Sequence, residues 1–349
     1  MKVGIFTIFA VPNYGAMLQA HGLSSYLRGE GVDAEVIDYR QPDLESYFRF
    51  KWKFPPAVNH WKRLRNCNRF VEETIPKGSA TVRSLEEFQQ YVSKYDAFIT
   101  GSDQVWFTGP VQFYDRMFFL DLPAPGIRKI SYAASAGGNV DFGEFEGKVR
   151  AALDGFDHLG VRDAHTESLI RPLTEKVISR TVDPVLLYGF EELLSEKPPV
   201  SEPYVLVFGD FRGDLARVIR DVREATGIRK VISLQYPCPE ATCRMATAGP
   251  TEWINLFKHA SFVVTSYFHG TVAAVKFQRP FVSVPTPGRR HKVATLLEPL
   301  GLSRRCFLDS QELDALPGIA GETLDWKAVG GKLAPMIASS KEFLRTALA

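Results

Sequence analysis

The chain has 349 residues, of which 45% are hydrophobic and 23% charged, with a formal net charge of +2. That length exceeds one typical core and suits two, and the composition is that of a globular chain, not a disordered or fibrous one. The near-neutral balance implies no bulk attraction to nucleic acid, and the four cysteines, Cys67, Cys238, Cys243 and Cys306, form no C-x-x-C pair, which suits a reducing compartment without a disulfide framework. No metal site is expected, because no nearby histidine completes a ligand set with Cys238 and Cys243.

Met1–Val11 carries one lysine and an apolar stretch, but Pro12-Asn13-Tyr14-Gly15 follows where a leader would have small residues. A buried first strand is the expected reading, and no apolar run approaches the ~20 residues that span a bilayer. Strands are predicted at Val3–Phe9, Ala34–Asp38, Ala97–Thr100, Lys129–Ala133 and Leu159–Val161, then at Tyr204–Phe208, Lys230–Leu234, Phe262–Thr265 and Phe281–Val284. Helices are predicted over Ala16–Leu27, near Asp214–Ala225, Glu252–Ala260 and Thr271–Phe277, and over Trp326–Leu348. Ser84 with Glu87 reads as a capping box opening a further helix with Leu85, Phe88 and Val92 on one face. Alternating strand and helix predicts an α/β chain with parallel sheets covered on both faces. Ser195–Pro203, with Pro198, Pro199 and Pro203, reads as a linker between a domain at 1–194 and a domain at 204–325. A final helix at 326–349 is placed to pack back on the first. Two such Rossmann-like domains facing each other would line a cleft with the carboxyl ends of their strands, where open α/β units bind ligands.

Four motifs follow predicted strands. Asn13-Tyr14-Gly15 opens the first helix, where a cap or a close ligand approach suits Asn and Gly; it is not G-x-G-x-x-G, so it offers no support for a dinucleotide site. Gly101-Ser102-Asp103-Gln104-Val105-Trp106 clusters polar side chains just after a buried strand. Gly160-Val161-Arg162-Asp163 ends a strand with a guanidinium able to grip a carboxylate or phosphate, or to form a simple surface turn. Ser266-Tyr267-Phe268-His269-Gly270-Thr271 places an imidazole where a helix starts, an anion-favouring position. Arg289-Arg290-His291-Lys292 adds a basic cluster past the last strand. The segment Arg40–Arg69 holds eight Lys/Arg against two acids, interleaved with Tyr47, Phe48, Phe50, Trp52, Phe54 and Trp61. It suits an anionic membrane surface, a large anionic substrate or, most commonly, a solvated helical insertion with buried aromatics.

Taken together, these motifs resemble the polysaccharide pyruvyl transferase family. The likeness also takes in Leu18-Gln19-Ala20, Ser131-Tyr132-Ala133-Ala134-Ser135 and Val182-Asp183-Pro184, and runs in order from about residue 3 to about residue 302. The resemblance implies a GT-B-like fold with the site in the interdomain cleft. It implies transfer of the pyruvyl group of phosphoenolpyruvate onto a sugar as a ketal, with no cofactor beyond that co-substrate. Acceptors would be cell-surface or exopolysaccharide glycans, often lipid-linked, placing the protein in the cytoplasm or at the inner membrane face. On this basis His269 and Asp103 are the expected catalytic residues. Arg162, Lys292, Arg290, Arg289, Gly270 and Thr271 would bind the donor, and Asn13, Tyr14, Gly15, Ser102 and Gln104 the acceptor. Family branches with ketal chemistry often carry Arg two residues before the His. Here that residue is Tyr267, so one donor grip would come from elsewhere, Arg289 and Arg290 being the candidates. A GT-B-like glycosyltransferase using a nucleotide sugar, and a non-catalytic glycan-binding relative, remain as alternatives.

Overall fold

The computed structural model describes residues 1–41, 58–109, 114–210, 215–308 and 312–349. In chain order the first half gives β1 (Lys2–Phe6), α1 (Tyr14–Gly29), β2 (Asp33–Tyr39), α2 (Val58–Thr74), β3 (Lys77–Val82), α3 (Leu85–Gln89) and β4 (Ala97–Thr100). There follow β5 (Arg128–Ala134), α4 (Glu146–Asp154), β6 (His158–Val161), α5 (Ala164–Ile170), β7 (Ile178–Arg180) and α6 (Pro184–Leu187). The second half gives β8 (Tyr204–Phe208), α7 (Leu215–Thr226), β9 (Lys230–Leu234), β10 (Cys243–Met245), α8 (Pro250–His259), β11 (Phe262–Thr265) and α9 (Phe268–Lys276). It closes with β12 (Phe281–Ser283), α10 (Arg290–Leu297), α11 (Leu316–Gly321) and α12 (Trp326–Leu348).

These elements form two sheets, β3-β2-β1-β4-β5-β6-β7 and β10-β9-β8-β11-β12. Every pairing within them is parallel. In each sheet the first strand of its half lies inside, and the order reverses beside it: between β1 and β4, and between β8 and β11. Such reversals open a crevice at the carboxyl ends of the strands. The loops leaving β1, β4, β8 and β11 are therefore the places to look for a site.

Two compact units result. One comprises Met1–Pro56, Val71–Gly189 and Met336–Ala349; the other comprises Ala57–Phe70 and Phe190–Pro335. The sequence reading put the junction at 195–203 and kept 40–69 with the first domain. The units instead divide after Gly189, and 57–70 belongs to the second. Asn66 supplies a reason, since its amide donates to the Thr247 carbonyl at 2.8 Å. Cys67, on the same helix, is fully buried and burial pushes its thiol up to about 12, so it packs as a small hydrophobe. Residues 42–57 of the basic, aromatic segment lie outside the described residues. Trp61, which the solvated-insertion reading would have buried, is 63% exposed.

The first unit's core includes an aromatic cluster in which Phe6 meets Phe88 and Phe98 edge-on, at 5.1 and 5.7 Å between centroids. Such pairs add about 0.5–1.5 kcal/mol each beyond buried area. The C-terminal part of α12 counts with this unit: the Val182 N–H donates to Ser340 Oγ at 2.9 Å and Arg128 Nη1 to the Ala347 carbonyl at 3.3 Å. Gly160 leaves room for that helix, because a Cβ there would sit 2.9 Å from the Phe343 ring. The expected capping box at Ser84 is only half formed. Ser84 Oγ accepts from the Glu87 N–H, but the Glu87 carboxylate accepts from the Arg83 N–H, and α3 stops after about one turn. The first strand ends at Phe6 rather than Phe9, because Thr7 turns its hydroxyl to the Ser102 carbonyl and Gln19 donates to both Thr7 and Ile8. Among the described residues, no helix is long and apolar enough to cross a membrane.

Candidate functional site

At the carboxyl edge of the first sheet, Asn13 caps α1. Its side-chain oxygen accepts from the N–H groups of Gly15 and Ala16 at 3.1 and 3.4 Å. Of the two expectations for this turn, a cap and a close ligand approach, the cap is formed and holds those two donors. Asn13 is exposed, whereas Tyr14 is buried in the core. An aromatic in the first turn of α1 that is 1% exposed belongs to the packing beneath the loop.

The Gly101–Trp106 loop leaves β4 with Asp103 at φ 76°, a conformation that L-residues other than Gly rarely take and that persists only where surroundings enforce it. The enforcement is visible. The Ser135 N–H donates to the Asp103 carbonyl at 3.1 Å, and Arg162 Nη2 lies 3.6 Å from Asp103 Oδ1. Ser102 is fully buried and donates to Asp183 Oδ2 at 3.2 Å, so it serves the network and not a ligand in solution. Gln104 lies against Gly137, where an added Cβ would meet its amide at 3.0 Å.

Arg162 is the hub. Its side chain is only 2% exposed; Nη1 donates to Asp183 Oδ2 at 2.9 Å and to Ser102 Oγ at 3.4 Å. Burial opposes its charge, but Asp183, Asp103 and Asp163 together outweigh that and hold its pKa above the ordinary value. Asp163 is occupied elsewhere, accepting from Ser135 Oγ at 2.7 Å and capping α5 through the Thr166 N–H and hydroxyl. Sequence reasoning gave Asp183 no role. It caps α6 through the Val185 N–H at 3.0 Å, with Pro184 in the first turn.

At the carboxyl edge of the second sheet, β11 ends in Thr265 and α9 begins at Phe268. Tyr267 takes the cap position in extended conformation, and no side chain caps the first turn. His269 is the second residue of α9 and is 8% exposed, its ring edge-on to Phe268 at 5.3 Å. Gly270 is required here by space: a Cβ would fall 2.1 Å from Thr265 Oγ1, which donates to the Phe208 carbonyl and accepts from the Tyr267 N–H. Helix and strand thus meet without a side chain between them, which draws His269 close to the end of β11. Thr271 is committed internally. Its N–H bonds the Tyr267 carbonyl and its hydroxyl pairs with Ser283 Oγ at 3.0 Å.

The basic cluster follows β12. Arg289 ends a short turn, its guanidinium 4.4 Å from the centre of the Tyr267 ring. Arg290 opens α10 and donates to the Leu308 carbonyl at 3.2 Å, and Lys292 is buried in the first turn of that helix. Among the described residues no carboxylate is paired with Arg289 or Arg290. The structure thus gathers Asn13, Ser102, Asp103, Gln104 and Arg162 at the edge of one sheet. It gathers His269, Gly270, Thr271, Arg289, Arg290 and Lys292 at the edge of the other.

Solved structures similar to the whole chain share its fold. They include Arabidopsis thaliana UGT89C1 complexed with UDP-L-rhamnose, at 14% identity and TM-score 0.55, covering 100% of this chain and 98% of that one. They also include the spinosyn rhamnosyltransferase SpnG, at 13% identity and TM-score 0.53, with both chains covered fully. The Methanocaldococcus jannaschii UDP-GlcNAc 2-epimerase in complex with UDP-GlcNAc and UDP matches at 12% identity and TM-score 0.52, covering 96% and 99%. Identities this low speak to architecture alone: two Rossmann-like domains of the GT-B type. No curated protein sequence matches the chain. The pattern of the family described as polysaccharide pyruvyl transferase matches residues 13–287, most of the chain and the four strand-end motifs from Asn13 to Thr271, and the protein belongs to that family of transferases.

Proposed function

We propose that the protein moves the pyruvyl group of phosphoenolpyruvate onto two hydroxyls of a sugar as a ketal, releasing phosphate. The family match over 13–287 carries this reading. In the reaction, the methylene carbon of the donor gains a proton, positive charge builds at the adjacent carbon, and one sugar hydroxyl attacks it. The C–O bond to phosphate then breaks and the second hydroxyl closes the ketal. Of the two hydroxyl protons, one balances the new methyl group and the other leaves with phosphate.

Such a path needs an acid/base and cations for an anion carrying several charges. His269 is assigned the proton transfer, because an imidazole held at a helix start stands where the helix dipole favours an anion. Arg289, Arg290 and Lys292 are assigned the donor's charges, and the first turn of α9 around Gly270 its backbone contacts. Asp103 is assigned the acceptor hydroxyl, with Asn13 and Gln104 at the same edge as acceptor contacts. Arg162 is assigned to positioning: it holds Asp103 and Asp183, and a guanidinium so committed would meet a donor only by sharing those carboxylates. The acceptor is placed among envelope glycans, and the reaction at the cytoplasmic membrane face, where the exposed Trp61 with Lys62 and Arg65 on α2 would suit an anionic surface.

The test is incubation with phosphoenolpyruvate and a panel of glycans, reading free phosphate and the mass gain of a pyruvyl ketal. His269→Ala should abolish phosphate release with the fold intact; retained turnover removes it from the mechanism. A nucleotide-sugar donor is the second reading, favoured by Tyr267 at the family's Arg position and by the UDP-bound neighbours named above. Thermal stabilisation by a nucleotide sugar and not by phosphoenolpyruvate would select it.

A further inference from the structure

The pairing of Arg289 with Tyr267 is the lead. The Tyr267 ring packs on Phe208 at 5.0 Å between centroids, and its hydroxyl donates to Tyr236 Oη at 3.0 Å. Tyr236 arrives from β9 by a sharp turn, with Gln235 at φ 66° and the Tyr236 N–H donating to the Leu234 carbonyl at 2.7 Å. A residue after one strand thus braces the cap residue after another. Burial, reinforced by that bond to Tyr236, raises the pKa of the Tyr267 hydroxyl, so it stands as a neutral donor.

On this braced ring rests a guanidinium that is half-buried and, among the described residues, paired with no carboxylate. A guanidinium resting over an aromatic face is attracted by the ring quadrupole while its in-plane N–H fork stays open. That fork matches a carboxylate bidentately, as an ammonium does not.

We infer that Tyr236 and Tyr267 are positioning residues that hold Arg289 ready, beside the start of α9, to grip the carboxylate of the donor. Naming that donor phosphoenolpyruvate rests on the pyruvyl-transfer reading; the anion contact itself does not. Phosphate is left to the other cations, so Arg289 selects for the carboxyl group.

The experiment measures binding of phosphoenolpyruvate and of inorganic phosphate to the full chain by calorimetry, with KM and kcat where turnover is seen. Arg289→Gln should weaken phosphoenolpyruvate at least about tenfold, the loss of one charged bidentate contact, while phosphate binding stays within about twofold. Arg289→Lys should fall between. Tyr267→Leu should weaken phosphoenolpyruvate about three- to tenfold in the wild-type background and change nothing further in Arg289→Gln, because its effect runs through the guanidinium. Tyr267→Phe keeps the ring under the guanidinium but loses the bond to Tyr236, and should fall between wild type and Tyr267→Leu. Equal phosphoenolpyruvate affinity in wild type and Arg289→Gln overturns the inference, as does a Tyr267→Leu effect that adds fully to Arg289→Gln. If the wild type ignores phosphoenolpyruvate and binds UDP, the pyruvyl reading falls separately. Arg289 is then judged on pyruvate, because UDP carries no carboxylate, and unchanged pyruvate affinity in Arg289→Gln overturns the inference as well.

Discussion

Arg162 and Arg289 each follow a strand at the carboxyl edge of a sheet, and the protein treats them in opposite ways. Arg162 is enclosed, with Asp183 at 2.9 Å and Asp103 at 3.6 Å already answering its charge. Arg289 rests on an aromatic face with no acid of the described chain against it. The first edge is a neutralised network that fixes the shape of a loop. At the second, on the function proposed above, the Arg289 charge is left for a ligand. Two arginines that look alike in sequence therefore predict different damage when changed: loss of stability at the first edge, loss of donor binding at the second.

Four measurements sharpen or break that contrast, starting with the largest effect. Asp183→Ala leaves the Arg162 charge buried without its main partner and should cost about 3–5 kcal/mol in denaturant unfolding. Arg162→Met with Asp183→Leu should cost less than the two single changes summed. A loss under about 1 kcal/mol for Asp183→Ala would mean the first edge is no more committed than the second. Next, Gly270→Ala drives a Cβ into Thr265 Oγ1 and should destabilise by about 2–3 kcal/mol. It should also reduce turnover, because His269 must move; a normal melting curve would show that strand and helix can separate there. Asn13→Ala should cost about 1 kcal/mol through the lost cap of α1, and Asn13→Ser should restore most of it.

The smallest effect concerns Lys276, in the last turn of α9, where burial lowers its pKa from 10.5 to about 8 against the pull of Glu191. Between pH 8 and 10.5 the unfolded chain then holds more protons than the folded one, so this group makes stability rise with pH across that window. Lys276→Met should be more stable than wild type at pH 7, by less than about 1 kcal/mol given partial exposure, and the advantage should fade by pH 10.5. A flat difference between the two proteins over that range would remove the buried-charge explanation.

Much of the architecture was readable because interior parallel strands are apolar runs: all nine predicted strands appear. The three missed ones, Lys77–Val82, Ile178–Arg180 and Cys243–Met245, are edge strands of their sheets. Edge strands bury less and are kept short or polar, which erases the signal. The motif loops were visible because polar clusters after buried strands are uncommon. What they do was less visible. Tyr14 and Ser102 stand in the right places but point inward, a matter of side-chain direction that spacing does not report. The Arg162–Asp183 pair joins residues 21 apart across two strand ends, and Tyr236 reaches Tyr267 over 31; neither can be found without the sheet order.

The distribution of the chain between its two units has a bearing on synthesis. The unit that begins at Met1 is finished only by Met336–Ala349, and the bond from Val182 to Ser340 closes a loop of 158 residues. During translation that half must wait, with Gly160 not yet covered by Phe343, until residues 336–349 have been made. Contacts of such long sequence separation form late in folding.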